Sequence, residues 1–160
     1  MANLNMKMNP VVHFELPAED TKRMVGFYAE AFGWQANQLG PEMGEYVVVM
    51  TTESDKNGPK NPGAINGGFF KKTKDTTQYP SVVIAVDDIL EATKKVEEAG
   101  GKVLGGAYNA SLQERSDVVA SDYKPGEPDD IPGVGLYSSF IDTEGNRVGM
   151  LQPLERMEVK

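Results

Sequence analysis

The sequence has no cysteine and a single histidine. Disulfides, thiolate metal sites and a cysteine nucleophile are therefore excluded, and any imidazole chemistry must pass through His13. A chain without cysteine fits a reducing compartment, and the cytoplasm is the expected location. Positive charge is also scarce: 16 Lys and Arg against 24 Asp and Glu give a formal net charge of −8. Such a field repels phosphate backbones and anionic lipid surfaces, so no nucleic-acid or membrane partner is expected. The densest basic cluster, Lys71, Lys72 and Lys74, sits beside Asp75 and reads as a solvated loop. No segment approaches the roughly 18 apolar residues of a membrane span. The opening "MANLNMKMNP" lacks a continuous apolar stretch of the kind a secretion signal carries.

What is present suffices for one globular domain, expected over residues 10–153, with 1–9 as a flexible leader and 154–160 as a tail. In "PVVHFELPAED" a β-branched and alternating run is followed by Pro17 and by Asp20, a good helix N-cap. Met24, Phe27, Tyr28 and Ala31 then fall at i, i+3, i+4 and i+7, and Gly33 stands at the C-terminal cap position. The spacing predicts a helix over residues 20–32.

The second half repeats this plan. "SVVIAV" (81–86) reads as a strand, Asp87 and Asp88 can cap, Ile89, Ala92, Thr93 and Val96 share a helix face, and Gly100 and Gly101 end the helix. A shift of 68 positions superposes Asp20 on Asp88, Gly33 on Gly101, and His13 on Ser81. Strand-like stretches follow each helix: "EYVVVM" and "AINGGFF" in the first half, "GKVLGG", "GLYSSFI" and "RVGMLQ" in the second. "DTEGN" (142–146) is a turn between the last two strands. The expected class is α+β, with two tandem βαβββ modules at about 10–72 and 79–153. Residues 51–63 and 107–133 read as long loops, the latter either a lid over a site or a disordered insertion. "EYVVVM" is expected to be an edge strand, hydrophobic enough to pair with a second chain, and a homodimer is expected.

"HFELPAEDTKRMVGFYAEAFGW" at one end and "FIDTEGNRVGMLQP" at the other resemble the vicinal oxygen chelate superfamily, the group of glyoxalase I, extradiol dioxygenases and bleomycin resistance proteins. The resemblance implies a mixed sheet curled into an open cup around one cavity, with the helices packed outside. It also implies four converging metal ligands. His13 matches the first, Ser81 stands at the second, and Gly149 stands where a carboxylate is usual. The remaining ligand should lie in "INGGFF", where Gly67, Gly68 and Phe69 offer no donor side chain. A single imidazole does not hold a divalent cation usefully, so no metal cofactor is expected. Cation binding with Glu15 or a loop carboxylate filling in is the alternative.

Alternation puts His13 and Glu15 on one strand face and Val12, Phe14 and Leu16 on the other, which should pack against the helix. His13 is then a hydrogen-bonded wall residue, a general acid or base whose pKa Glu15 would raise, or a metal ligand. Tyr137 alternates with Leu136 and Phe140 and either faces a bound ligand or joins the core. His13, Glu15, Ser81, Tyr137 and Gly149 are the candidate ligand-binding residues, with His13 and Glu15 the catalytic candidates. Three functions follow: a metal-free small-molecule binding protein; a lyase, isomerase or dioxygenase of the lactoylglutathione lyase or dioxygenase type; and a dimeric regulatory module.

Overall fold

The computed structural model describes residues 7–73, 78–106 and 126–154. Residues 1–6 of the expected leader, 155–160 of the tail, Lys74 and Asp75 of the basic cluster, and 107–125 of the expected lid lie outside the described residues. The rest fall into two compact units, one spanning Val12–Val83 and the other running from Ile84 onward together with the residues up to Val11.

In the first unit the chain runs through β1 (Val11–Ala18), α1 (Thr21–Phe32), β2 (Gln35–Gln38), a 3-10 turn (Pro41–Met43), β3 (Val47–Met50), the short strands β4 (Ser54–Asp55) and β5 (Gly58–Pro59), and β6 (Asn66–Lys71). Asp20 caps α1 by accepting from the Arg23 N–H at 2.9 Å, and Gly33 closes it in the left-handed conformation, φ 70°. The strand order is β2-β3-β6-β1, with β6 parallel to β1 and antiparallel to β3. Val47, Val49 and Phe69 are fully buried, and Phe14, Leu16, Met24, Val25, Tyr28 and Trp34 pack around them. Trp34 stacks on Tyr28 with ring centroids 4.6 Å apart.

Two sequence expectations change here, the first because of an additional strand. The stretch "QANQ" forms β2, which pairs antiparallel with β3, although all four residues are exposed and carry no apolar alternation. Backbone hydrogen bonds alone suffice to add such a strand. As a result β3 is flanked by β2 and β6 and is not an edge; the edge-pairing argument for a homodimer falls with it. Within 51–63, expected as a loop, β4 and β5 form a two-stranded hairpin.

The second unit contains α2 (Ile89–Glu98), β8 (Lys102–Gly105), β9 (Asp129–Ile131), β10 (Gly135–Ile141) and β11 (Arg147–Pro153), preceded by β7 (Ser81–Ala85). β10 lies between β11 and β8, both antiparallel to it, and β9 also pairs with β10. β9 therefore replaces part of the expected 107–133 loop with strand. The Val86 N–H donates to the Leu151 carbonyl, which places the chain leaving β7 beside β11. Both units thus carry the βαβββ plan. Asp88, rather than Asp87, caps α2, and its carboxylate accepts from Leu90 and Glu91 N–H. Gln152 supplies a further acceptor to the Ile89 N–H at 2.9 Å. Ile89, Val86 and Met150 form the core, with Ile84, Ala92, Val96, Leu136 and Phe140 packed against it.

Ser138 lies on the same strand face as Leu136 and Phe140, is 0% exposed, and its hydroxyl has no hydrogen-bond partner among the described residues. A buried hydroxyl without a partner carries its full desolvation penalty. Ser138→Ala is therefore expected to raise stability by about 1 kcal/mol, read as a later urea midpoint; an earlier midpoint would contradict the assignment.

Candidate functional site

Because Phe14 and Leu16 point into the core beneath α1, His13 and Glu15 point to the opposite face of β1. Cross-strand register extends that face. His13 pairs with Asn66, and one row runs Glu15, Gly68, Val48, Asn37 across β1, β6, β3 and β2. Paired residues share a face, so Asn66 and Val48 stand with His13.

Tyr46, directly before β3, completes the arrangement. Its hydroxyl and the His13 Nε2 are 2.8 Å apart and hydrogen-bonded, with the two ring planes inclined by only 18°. To reach His13 the tyrosine crosses the β6 backbone, and Gly68 makes the crossing possible: a Cβ there would overlap the ring and hydroxyl of Tyr46. Gly67 does the same on the other face, where a Cβ would come within 2.6 Å of the Phe14 ring. The glycine pair therefore admits one aromatic ring on each side of β6.

The approach of Tyr46 is fixed by an unusual turn. Gly44 and Glu45 are both left-handed, at φ 63° and 56°, and Glu45 is the one non-glycine residue with positive φ among those described. Leu39 N–H donates to the Tyr46 carbonyl at 2.8 Å, and Tyr46 N–H donates to that of Met43 at 3.3 Å. Lys71 Nζ lies 3.8 Å from the Glu45 carboxylate, an exposed pair worth little by itself.

Burial lowers the His13 pKa from 6.5 to about 4. The sequence reading has Glu15 raising it; instead desolvation of the cation is the dominant cause, and the imidazole is neutral at pH 7. Asn66 is held at both ends of its amide: Oδ1 accepts from the Thr51 N–H at 2.9 Å and Nδ2 donates to Ser54 Oγ at 2.8 Å.

Ser81 opens β7, half-buried, with its hydroxyl donating to the Val82 carbonyl at 3.4 Å. Tyr137 and Gly149 belong to the second unit, where Tyr137 pairs with Leu151 and Gly149 with Ser139, so the two are diagonal neighbours on one face of β10 and β11. Ser139 is buried and donates to the Gly105 carbonyl at 3.0 Å. Sequence reasoning passed over Tyr46 and Asn66. Their only signal was alternation with Val48 and with Gly68, and it becomes legible once the register of β3 against β6 is known. Among the described residues no three His, Asp or Glu side chains cluster in a way that would hold a metal ion, and no helix is long and apolar enough to cross a membrane.

Residues 11–52 match the family described as bleomycin resistance protein-like N-terminal. Solved structures match nearly the whole chain. The hypothetical protein BH1468 from Bacillus halodurans C-125 is 12% identical, with TM-score 0.59 and coverage of 95% of this chain and 99% of that one. A methylmalonyl-CoA epimerase is 15% identical, with TM-score 0.60 over 94% and 100%. This is a vicinal oxygen chelate fold. A further protein of that fold, the Streptomyces coelicolor methylmalonyl-CoA epimerase in complex with 2-nitronate-propionyl-CoA, is 13% identical, with TM-score 0.60 over 93% and 100%. At these identities the likeness is one of fold. No curated protein sequence matches the chain significantly. The vicinal oxygen chelate fold accounts for the doubled βαβββ plan, while the His13–Tyr46 pair over Gly68 is read from this chain's own residues.

Proposed function

We propose that the protein binds a small amphipathic molecule on the His13 face and does so without a metal. One observation carries this reading: His13 Nε2, one of the two ring nitrogens that could ligate a cation, is engaged by the Tyr46 hydroxyl. The rest of the donor chemistry agrees. Gly68 has no side-chain donor, and the Asn66 amide is committed to Thr51 and Ser54. A divalent cation needs three or four protein donors, which these residues do not fit. A neutral imidazole whose conjugate acid has a pKa of about 4 is also a weak general base at pH 7, which favours binding over proton transfer.

The face offers hydrogen-bonding groups on His13 and Tyr46 beside the apolar Val48, and Glu15 is the only charged residue in its paired rows. That combination suits a neutral or cationic molecule with an apolar body and disfavours an anionic CoA ester such as the epimerases carry. The protein is placed in the cytoplasm on its lack of cysteine, and a homodimer would not form by edge pairing through β3. Sedimentation velocity tests the dimer.

Native mass spectrometry and elemental analysis of the purified protein test the main reading. A carried organic mass with no stoichiometric metal is expected, together with no binding of methylmalonyl-CoA and loss of the carried mass in His13→Ala. Stoichiometric zinc, nickel or iron would overturn the metal-free reading, and isomerisation of the methylglyoxal–glutathione adduct that His13→Ala abolishes would make the protein an enzyme instead.

A further inference from the structure

The pair Asn-Gly occurs twice in the chain, as Asn57–Gly58 and Asn66–Gly67. The dipeptide is chemically special. With no Cβ on the second residue, its backbone nitrogen can approach the preceding side-chain amide, provided the backbone is free to rotate into a five-membered ring geometry. The fold treats the two pairs in opposite ways.

Gly67 is buried in β6, paired with Phe14 of β1 on one side and with Val49 of β3 on the other. Rotating its peptide would break ladder pairing on both sides and drive it into the Phe14 ring. Asn57 is exposed in the turn of the β4–β5 hairpin, and its N–H donates to the Asp55 carboxylate at 2.7 Å. Gly58 follows at φ 107°, and the position its Cβ would take is open space. The hairpin has only two residues in each strand, Ser54–Asp55 against Gly58–Pro59, and is a separate two-stranded sheet. A ribbon that small opens locally at little cost.

We propose that Asn57 is a site of spontaneous deamidation and that the fold protects Asn66. The Gly58 backbone nitrogen, losing its proton, attacks Cγ of Asn57. A C–N bond forms, the Cγ–Nδ2 bond breaks, and ammonia leaves with the proton, giving a cyclic imide. Water then adds to either ring carbonyl and opens it to an aspartyl or an isoaspartyl residue. Both products place a new carboxylate beside Asp55, and the isoaspartyl product lengthens the backbone inside the hairpin by one carbon. Ser54, two residues before the turn, accepts from the Asn66 amide next to His13. The modification therefore loosens a support of the His13 face as the protein ages. Its chemistry stands whether or not that face binds a ligand.

Peptide mapping of the full-length protein after prolonged incubation in mildly alkaline buffer, folded and in urea, tests the proposal, with Asn57→Gln as the control that removes the signal. In the folded protein Asn57 is expected to convert at least about tenfold faster than Asn66. In urea, where only local sequence acts, the two rates should converge. Conversion of Asn66 at the rate of Asn57 in the folded protein would overturn the proposal, as would an intact Asn57 after the unfolded sample has converted, or a selectivity that persists in urea.

Discussion

Lowering the pH from 7 to 4 is expected to cost the folded protein about 3 kcal/mol through His13 alone. The unfolded chain takes up a proton on this imidazole near pH 6.5, whereas burial delays the same event in the folded protein to about pH 4. Above pH 6.5 both states are neutral and the contribution to stability is complete. As pH falls through the window between 6.5 and 4, the unfolded state binds the extra proton and stability drops by about 1.4 kcal/mol per pH unit. Below about pH 4 both states are charged and the loss levels off. Urea denaturation of wild type and His13→Gln across this window isolates the effect from the carboxylates, which both proteins share. The difference between the two curves should have its slope between pH 6.5 and 4 and be flat above. Since the chain has a single histidine, its proton resonance gives the folded pKa directly; titration near 6.5 would refute the burial argument.

Gly68→Ala is expected to destabilise the protein by about 1–3 kcal/mol, against the usual gain of replacing a strand glycine. The added methyl falls within the ring and hydroxyl of Tyr46, in a strand held by neighbours on both edges, so Tyr46 must leave its place over β6. Its bond to His13 is then lost, water reaches the imidazole, and the His13 pKa should rise toward 6.5. Tyr46→Phe separates the two causes: it keeps the ring, removes only the hydroxyl, and should cost about 1 kcal/mol. A Gly68→Ala protein with wild-type midpoint and an unmoved His13 resonance would mean that Tyr46 does not depend on this glycine.

The elements with strong local signals were legible in the sequence. Asp20, Gly33 and Asp88 announced their helix ends because capping is a short-range interaction. The doubled βαβββ plan and the direction of His13, on the strand face away from the helix, followed from periodicity. β2 was not legible, since "QANQ" is a strand only by virtue of β3 beside it. The partner of His13 was hidden for a related reason. Tyr46 is 33 residues away, and nothing in either local pattern fixes the register that brings them together. The glycines of β6 pointed only to missing donors, because the ring that each one admits comes from another strand. The sign of the His13 pKa shift also depends on burial, which no neighbour in sequence determines.

Glu45 gives the Tyr46 contact a mechanical side. An ordinary residue in the left-handed region sits roughly 1 kcal/mol or more uphill, and Glu45 occupies it immediately before the tyrosine that touches His13. If Tyr46 swings away and the 40–46 turn relaxes, that stored energy is returned and offsets part of the lost hydrogen bond. The contact therefore behaves as a spring-loaded catch, easier to release than its 2.8 Å length suggests.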